Sequence, residues 1–289
     1  MMQKLYTFLD KLYLRLDKKL ILRTKNLRLI PPFRNRQGGK VAYGEWCHVI
    51  GIFQTLLNLH LKGTEDNTIL DIGCGTALLG IASEPFLGKN GKYIGIDIRT
   101  EDVAFCQHHY PPATHSFHHL DANNTAYAPQ QKKERARWLI ADGSVDVVTA
   151  LSVWTHLNEQ DASFYFKEIH RVLRPGGQAL ITFFYLDDFY RRSLGQRNTE
   201  ALGTFHNTPK NLWFFDHQCP GSGYWYYPGW VKYPEDAMGV TSQGIDTLLT
   251  GTALEMTDIY PGNWKEIPGV FFQDVLVFRK KAPAQNEVG

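Results

Sequence analysis

The sequence contains a short turn whose residue types suit the binding of a nucleoside. An apolar run, Thr68–Ile72, leads directly into Gly73 and Gly75. Glycines let a backbone turn sharply and approach a ligand closely. Asp97 closes the next apolar run, 22 residues after Gly75, where a carboxylate can bind both hydroxyls of a ribose. A Gly-x-Gly turn alone is also compatible with any tight connection between a strand and a helix.

Further features follow this turn in an ordered series. Asp121 comes directly after a third predicted strand, where it can meet the adenine end of a ligand, and Asp146 opens a fourth strand. The turn Arg174–Gly177 then leads into a fifth strand. Each feature could arise by chance, whereas their order and spacing together indicate one kind of nucleoside-binding domain.

His156 is the residue best suited to act as a general base. It follows the fourth predicted strand, at the carboxyl edge of the sheet, where open α/β folds bind their ligands. An unperturbed pKa of about 6.5 suits proton abstraction near neutral pH. The alternative is a histidine at a helix start that hydrogen-bonds locally and shapes the pocket, because a loop position alone does not assign a proton.

Asp188 and His217 are secondary catalytic candidates, together with Asp187. They lie in residues 186–240, which are rich in aromatics and turn formers and are typical of a lid or a binding loop. A polar side chain there could reach an acceptor when a lid closes, although we favour a surface position for each. The aromatics at 213–230 either stack on an acceptor or form a small core of their own.

Alternating strands and helices position these residues. The predicted strands are Thr68–Ile72, Tyr93–Ile98, His115–Leu120, Val145–Leu151, Gln178–Tyr185, Ala253–Tyr260 and Phe271–Phe278. The predicted helices are Thr76–Leu87, Glu101–His109, Glu159–Leu173 and Ser242–Thr250. This rhythm predicts a parallel, doubly wound sheet.

The N-terminal segment differs from the rest of the chain. A helical pattern of leucines runs through residues 1–30 and stops at Pro31 and Pro32. Residues 1–40 contain 11 Lys or Arg against 2 Asp, a net charge of +9, whereas the remaining residues carry −7. We expect this basic helix either to be a solvated face or to contact a membrane surface, a partner protein or the acidic remainder of the chain.

The chain therefore divides into a basic helical segment, a core domain and a tail. The expected bounds are 1–40 for the segment, 41–280 for the domain, 186–240 for the insertion within it and 281–289 for the tail.

From about residue 66 to 280 the chain resembles the class I S-adenosylmethionine-dependent methyltransferases. It is most similar to a bacterial subgroup with a Ser-Val-Phe-Thr-His-Leu stretch and a Gln-Asp-Val strand, here Ser152–Leu157 and Gln273-Asp274-Val275. Trp154 replaces the Phe of the first stretch, and Tyr127-Ala128-Pro129 resembles the subgroup's Tyr-Asn-Pro stretch. Ala77 replaces a frequent third glycine of the family but is small enough for the same packing. Leu78 stands where a dinucleotide dehydrogenase needs glycine.

The resemblance implies a Rossmann-like, doubly wound, seven-stranded sheet, mostly parallel with an antiparallel last strand. It implies S-adenosylmethionine as cofactor and a small polar acceptor, with a sugar hydroxyl suggested because the subgroup often lies in gene clusters for polysaccharide or glycolipid assembly. Asp71 would order the loop or reach the amino group of the cofactor. The implied cofactor-binding residues are Asp71, Gly73, Cys74, Gly75, Asp97, Ile98, Asp121, Ala122 and Ser152.

Composition narrows the class of protein further. The chain is 43% hydrophobic and 21% charged, which is typical of a globular protein. The sequence contains no apolar run of about 18 residues, so no membrane span is expected, and no secretory signal is apparent. The four cysteines lack metal or disulfide spacing, so we expect a reduced, cytoplasmic protein. The histidines at 108–119 lack recurrent ligand spacing, and no metal is expected.

Three other functions remain open on the sequence alone. An amine acceptor would depend less on a base than a hydroxyl does. A nucleic-acid methyltransferase is disfavoured, because the body of the chain is acidic and lacks the Asn-Pro-Pro-Tyr tetrad of base-flipping enzymes. The third is a non-catalytic cofactor-binding or scaffold protein held at a membrane by residues 1–30.

Overall fold

A computed structural model describes residues 2–20, 25–36, 41–63, 65–122, 135–195, 204–205 and 208–282. The chain forms two compact units, residues 1–120 and 121–289. The predicted motif at 127–129 and the tail from residue 283 lie outside the described residues.

The first unit opens with a basic helix, α1 (Met2–Leu20), and two short 3-10 turns, Lys25–Leu29 and Phe33–Asn35. The predicted helix over residues 1–30 is wrong at Lys25–Leu29, which form a 3-10 turn. The amide of Asn26 donates to the carbonyl of Ile81 at 2.9 Å, which anchors the chain in a separate turn. None of the helices in the described ranges is both long and apolar enough to span a bilayer.

A second helix, α2 (Tyr43–His60), was not predicted from the sequence. Its apolar residues recur at three- and four-residue steps, the spacing of one helix face. The buried side chains are Trp46, Val49, Ile50, Phe53, Leu56 and Leu57.

Three parallel strands form the sheet of the first unit: β1 (Thr68–Ile72), β2 (Lys92–Asp97) and β3 (His115–His119). Parallel neighbours need crossover connections, here α3 (Leu78–Ser83) and α4 (Thr100–His109). The α3 helix starts two residues later than predicted and ends in a 3-10 turn, Glu84–Phe86.

The second unit continues the α/β pattern. Its elements are β4 (Val145–Ala150), α5 (Glu159–Val172), β5 (Leu173–Tyr185), α7 (Ser242–Leu249), β11 (Leu254–Tyr260) and β12 (Asp274–Lys280). The β4 strand pairs in parallel with β5, whereas β12 runs antiparallel to both β5 and β11. The predicted α/β class is confirmed. Within each unit the strands among β1–β5 pair in parallel, and the last strand, β12, is antiparallel.

The segment 186–240 has more structure than the sequence indicated. It contains α6 (Asp188–Ser193), β6 (Thr204–Phe205), β7 (Thr208–Pro209), β8 (His217–Gln218), β9 (Trp225–Tyr227) and β10 (Gly239–Val240). The β10 strand pairs in parallel with the end of β5 and antiparallel with β9. Part of the insertion is therefore an extension of the sheet.

An aromatic cluster fixes this segment to β5. It consists of Phe184, Leu186, Tyr190, Trp213, Phe215, Ala237 and Trp264, all buried. Ring pairs such as Phe184 with Trp213, whose centroids are 5.2 Å apart, have the separations of favourable aromatic packing. The sequence predicted either a small core or stacking on an acceptor for these aromatics. Trp213 and Phe215 form part of the core, whereas Tyr224 and Trp230 keep large exposed fractions.

Candidate functional site

The turn that follows β1 is tied to Asp97 at the end of β2. The backbone N–H of Gly75 donates to Asp97 Oδ2 at 2.7 Å, and that of Arg99 donates to Oδ1 at 2.9 Å. Each carboxylate oxygen is engaged by one of these donors, yet an ionised carboxylate offers about four acceptor positions. The remaining positions can accept from hydroxyl groups, as the binding of a ribose requires.

Left-handed backbone makes this turn compact. Gly73 and Gly75 have φ angles of 62° and 51°, and Ala77, which caps α3, has a φ of 62°. Such angles suit glycine but cost alanine about 1–2 kcal/mol. Tyr110 offsets part of this cost, because its buried hydroxyl lies 2.8 Å from the carbonyl oxygen of Thr76 and 3.2 Å from that of Ala77.

Asp71 lies beneath the turn and is buried. The hydroxyl of Tyr93 donates to Asp71 Oδ2 at 2.5 Å. Burial, with the neighbouring Asp71 carboxylate, raises the pKa of Tyr93, so the hydroxyl keeps its proton and remains a donor. This contact joins β1 to β2, and both roles expected for Asp71, ordering the loop or reaching the amino group of the cofactor, stay predictions.

Side chains pack tightly around Gly95, next to the turn. A Cβ placed on Gly95 would come 2.8 Å from Cys74 Sγ and 2.7 Å from the ring of Phe117, so only glycine fits there. Burial, and then the charge of Asp97, raise the pKa of the Cys74 thiol. The thiol therefore stays protonated and acts as a packing group. Burial also raises the pKa of Asp97, a rise that its backbone donors oppose.

In the second unit the chain leaves β4 through a strained serine. Ser152 has a φ of 61°, which costs a residue with a side chain about 1–2 kcal/mol. Its N–H donates to Thr182 Oγ1 at 2.6 Å, and its Oγ accepts from Gln273 Nε2 at 2.9 Å. Backbone strain that neighbours hold in place in this way is concentrated at functional sites.

His156 lies on the 3-10 turn that follows Ser152, Trp154–His156. Its Nδ1 is 2.8 Å from the carbonyl oxygen of Glu235. Because a carbonyl can only accept, the proton sits on Nδ1 and the lone pair on Nε2. Burial lowers the pKa of His156, although the Glu235 carbonyl opposes the shift. The ring is therefore neutral at pH 7 and in its basic form.

The insertion holds the loop after β4 by a second contact. The backbone N–H of Met238 donates to the carbonyl of Thr155 at 2.8 Å. Together with the Glu235 contact, this makes residues 235–238 the immediate support of His156. Sequence reasoning missed this support, because Glu235 is 79 residues from His156 along the chain.

A buried ion cluster lies next to Gln273. Lys265 Nζ is 2.8 Å from Asp274 Oδ1 and 2.7 Å from Asp187 Oδ2, and the side chains of Lys265 and Asp274 have no exposed surface. Asp274 also accepts from the backbone N–H groups of Gly262 and Tyr185 and from the indole of Trp264. Burial raises the pKa of Asp274, and the Lys265 ammonium opposes that rise.

The other two catalytic candidates have exposed side chains. Asp188 begins α6 and is 3.1 Å from Arg191. His217 lies on β8, with Nδ1 2.7 Å from an oxygen of Asp216. These contacts agree with the surface reading, and a catalytic role for either residue stays a prediction. Asp187, by contrast, caps α6 and belongs to the ion cluster.

The remaining predicted residues lie near the ends of β2 and β3. Ile98 is half-buried directly after β2, Asp121 is half-buried and Ala122 is buried. His119 Nε2 is 3.1 Å from the carbonyl oxygen of Ile98, and His109 Nε2 is 2.7 Å from that of Leu29. Within the described ranges no three His, Cys, Asp or Glu residues are grouped as metal ligands would be.

The chain is similar to proteins whose chemistry is known. Residues 69–177 match a family model described as a methyltransferase domain. An arsenite methyltransferase of Aquipseudomonas alcaligenes is 25% identical over 119 residues, which are 41% of this chain and 33% of that protein. The matched region thus spans only one third of the length of that curated relative.

Solved structures include similar chains. A methyltransferase from Methanosarcina mazei described as S-adenosylmethionine-dependent has 21% identity and a TM-score of 0.45, covering 79% of this chain and 98% of that one. One from Mesorhizobium loti has 13% identity and a TM-score of 0.48, covering 78% and 96%.

The segment that matches the family model contains β1, the glycine turn, Asp97 and His156, and it ends at the turn that opens β5. Residues 69–177 are therefore similar to a methyltransferase domain, in agreement with the resemblance noted from the sequence.

Proposed function

We propose that the chain transfers a methyl group from S-adenosylmethionine to a hydroxyl group of a small polar acceptor, such as a sugar or another metabolite. The observation that carries the proposal is the Asp97 carboxylate. It is fixed by the N–H of Gly75 and still has acceptor capacity, within a segment that matches a methyltransferase domain.

The chain's own residues fit this cofactor. Gly73 and Gly75 place no side chain over the turn, so their backbone can approach the methionine part of the ligand. Asp97 would accept from the ribose hydroxyls. The other proposed cofactor-binding residues are Asp71, Cys74, Ile98, Asp121, Ala122 and Ser152.

When bound, S-adenosylmethionine supplies a methyl carbon already activated by its sulfonium. The protein then has to align the acceptor oxygen and exclude water. Alignment alone contributes about 7–11 kcal/mol in well-oriented reactions. Tyr224 and Trp230, the exposed aromatics of the insertion, would stack on a sugar ring.

His156 is the proposed general base. Its Nδ1–H is held by the Glu235 carbonyl, so a proton taken from the acceptor hydroxyl would go to Nε2. Because burial lowers the pKa of His156, the ring is in its basic form at neutral pH. A positioned base of this kind contributes typically about 10²–10⁴-fold.

The test is the release of S-adenosylhomocysteine with a panel of sugars, glycolipids and amines. With a hydroxyl acceptor, His156→Gln should lower kcat by about 10²–10⁴-fold while leaving the cofactor Kd unchanged. The matched control is His170→Gln, which changes a half-buried histidine on α5. Turnover confined to amines, with His156→Gln equal to wild type, would contradict hydroxyl methylation. No turnover with any acceptor would favour a non-catalytic protein.

A further inference from the structure

One side of α1 is fixed to the first unit. Asp10 Oδ2 is 2.8 Å from Arg36, whose side chain is fully buried and also donates to the carbonyls of Pro31 and Val41. Tyr6 stacks on Phe33, with ring centroids 5.8 Å apart and an interplanar angle of 25°. These contacts set the rotation of the helix about its own axis.

The other side of α1 exposes a stripe of large apolar side chains. At the 100° turn of a helix, residues 5, 8, 9 and 12 fall within an arc of about 100°. Their exposed fractions are 56% for Leu5, 65% for Phe8, 39% for Leu9 and 50% for Leu12, with Tyr13 at 61% beside them. Contiguous exposed apolar residues of this kind mark an interaction surface rather than ordinary variation.

Cations border this apolar stripe along one edge. Lys4, Lys11 and Arg15 are exposed and fall within an arc of about 40°, next to Phe8. No carboxylate in the described part of the chain forms an ion pair with them. Residues 1–40 of the sequence carry a net charge of +9, and the described face of α1 combines its apolar stripe with Lys4, Lys11 and Arg15 along one edge.

We propose that α1 docks in the interface of an anionic lipid bilayer. The stripe of Leu5, Phe8, Leu9 and Leu12 would enter the boundary between headgroups and acyl chains, and the bordering cations would contact lipid phosphates. Helices with an apolar face and a basic face bind membranes in this orientation, with a strength that follows the apolar area and the lipid charge.

Two other occupants fit the surface less well. A second copy of the chain would bring two basic helices together, and like charges oppose that contact. Closure of the stripe onto the first unit would require the helix to rotate away from the Asp10–Arg36 pair and the Tyr6–Phe33 stack. Charge complementarity therefore favours anionic lipid.

The experiment is co-sedimentation of the full chain with vesicles. One set is phosphatidylcholine alone, and the other contains phosphatidylcholine and phosphatidylglycerol in equal parts. The test variant is Phe8→Ser with Leu12→Ser. The matched control is Leu59→Ser with Leu139→Ser, which changes two leucines that are 61% and 95% exposed elsewhere. Thermal melting establishes that every variant is folded.

We expect the wild type to sediment with the anionic vesicles and not with the zwitterionic ones. The test variant should lose at least about tenfold in its partition coefficient, whereas the control variant should match the wild type. High salt should weaken binding, because the lipid charge is screened. Wild-type protein that stays in the supernatant, or a test variant that binds equally well, overturns the proposal. So does a vesicle-independent dimer that the test variant abolishes.

Discussion

Substitution of the buried carboxylate Asp274 should be among the most destabilising single changes in the second unit. Each of its oxygens accepts from two donors: Oδ1 from Lys265 and Gly262, and Oδ2 from Tyr185 and Trp264. In Asp274→Asn one of these oxygens becomes an NH₂ group. Whichever way the amide turns, that group faces two donors and loses both hydrogen bonds.

The loss can be estimated from the number of contacts removed. A hydrogen bond that involves a charged group contributes about 1.5–3 kcal/mol, and breaking a buried pair costs about 3–5 kcal/mol. We therefore expect Asp274→Asn to lower the free energy of unfolding by about 3–5 kcal/mol.

Asp187→Asn is the matched comparison, because it makes the same charge change on the same lysine. Asp187 is partly exposed and also caps α6 by accepting from the N–H of Tyr190. Asparagine caps helices as well as aspartate does, and Lys265 keeps Asp274 as its partner. The expected cost is about 1 kcal/mol.

Urea denaturation followed by tryptophan fluorescence measures both variants, since Trp264 lies within the cluster. The two should differ by at least about 2 kcal/mol. Equal costs for Asp187→Asn and Asp274→Asn, or a cost below about 1 kcal/mol for Asp274→Asn, would refute this reasoning.

Three further predictions concern the two units. Burial lowers the pKa of His156, so kcat should be constant near neutral pH and fall as pH drops through a value below about 6.5; a midpoint above 7 in the pH–rate profile would count against His156 as base. Gly95→Ala should lower the free energy of unfolding by about 1–3 kcal/mol, because its Cβ would contact Phe117 and Cys74. Gly51→Ala, which has open space around it on α2, should raise the free energy of unfolding by about 0.8–1 kcal/mol, and thermal melting measures both variants. Tyr93→Phe, which leaves Asp71 without its hydroxyl donor, should cost about 1–3 kcal/mol, and a neutral result would show that the contact is dispensable.

Strands such as β1 and β4 could be predicted from sequence because each is a short apolar run. The predicted bounds of β1 match those observed, those of β4 differ by one residue at one end, and those of β2 differ by one residue at each end. Two expectations about helices differ from the structure. Lys25–Leu29 form a 3-10 turn instead of a continued α-helix, and there Asn26 binds the carbonyl of Ile81. The α2 helix went unpredicted although its apolar spacing is regular.

The candidate site was predictable where its residues are close in sequence. The glycine turn and Asp97 follow from the ends of consecutive strands. The contacts that position Ser152 and His156 come instead from Gln273 and Glu235, 121 and 79 residues away. Only folding brings such residues together. The family resemblance pointed to Gln273 and Asp274 but gave no physical reason for them. In the structure, Gln273 donates a hydrogen bond to Ser152 and Asp274 pairs with Lys265.

The proposed function depends most directly on the binding of the cofactor at Asp97. Calorimetry with S-adenosylhomocysteine should show binding to the wild type and to Asp66→Asn, a control aspartate that likewise accepts two backbone N–H groups. Asp97→Asn should weaken binding by about 1.5–3 kcal/mol, or roughly tenfold to 150-fold. Absence of binding to the wild type, or equal affinity for Asp97→Asn, would contradict the central claim.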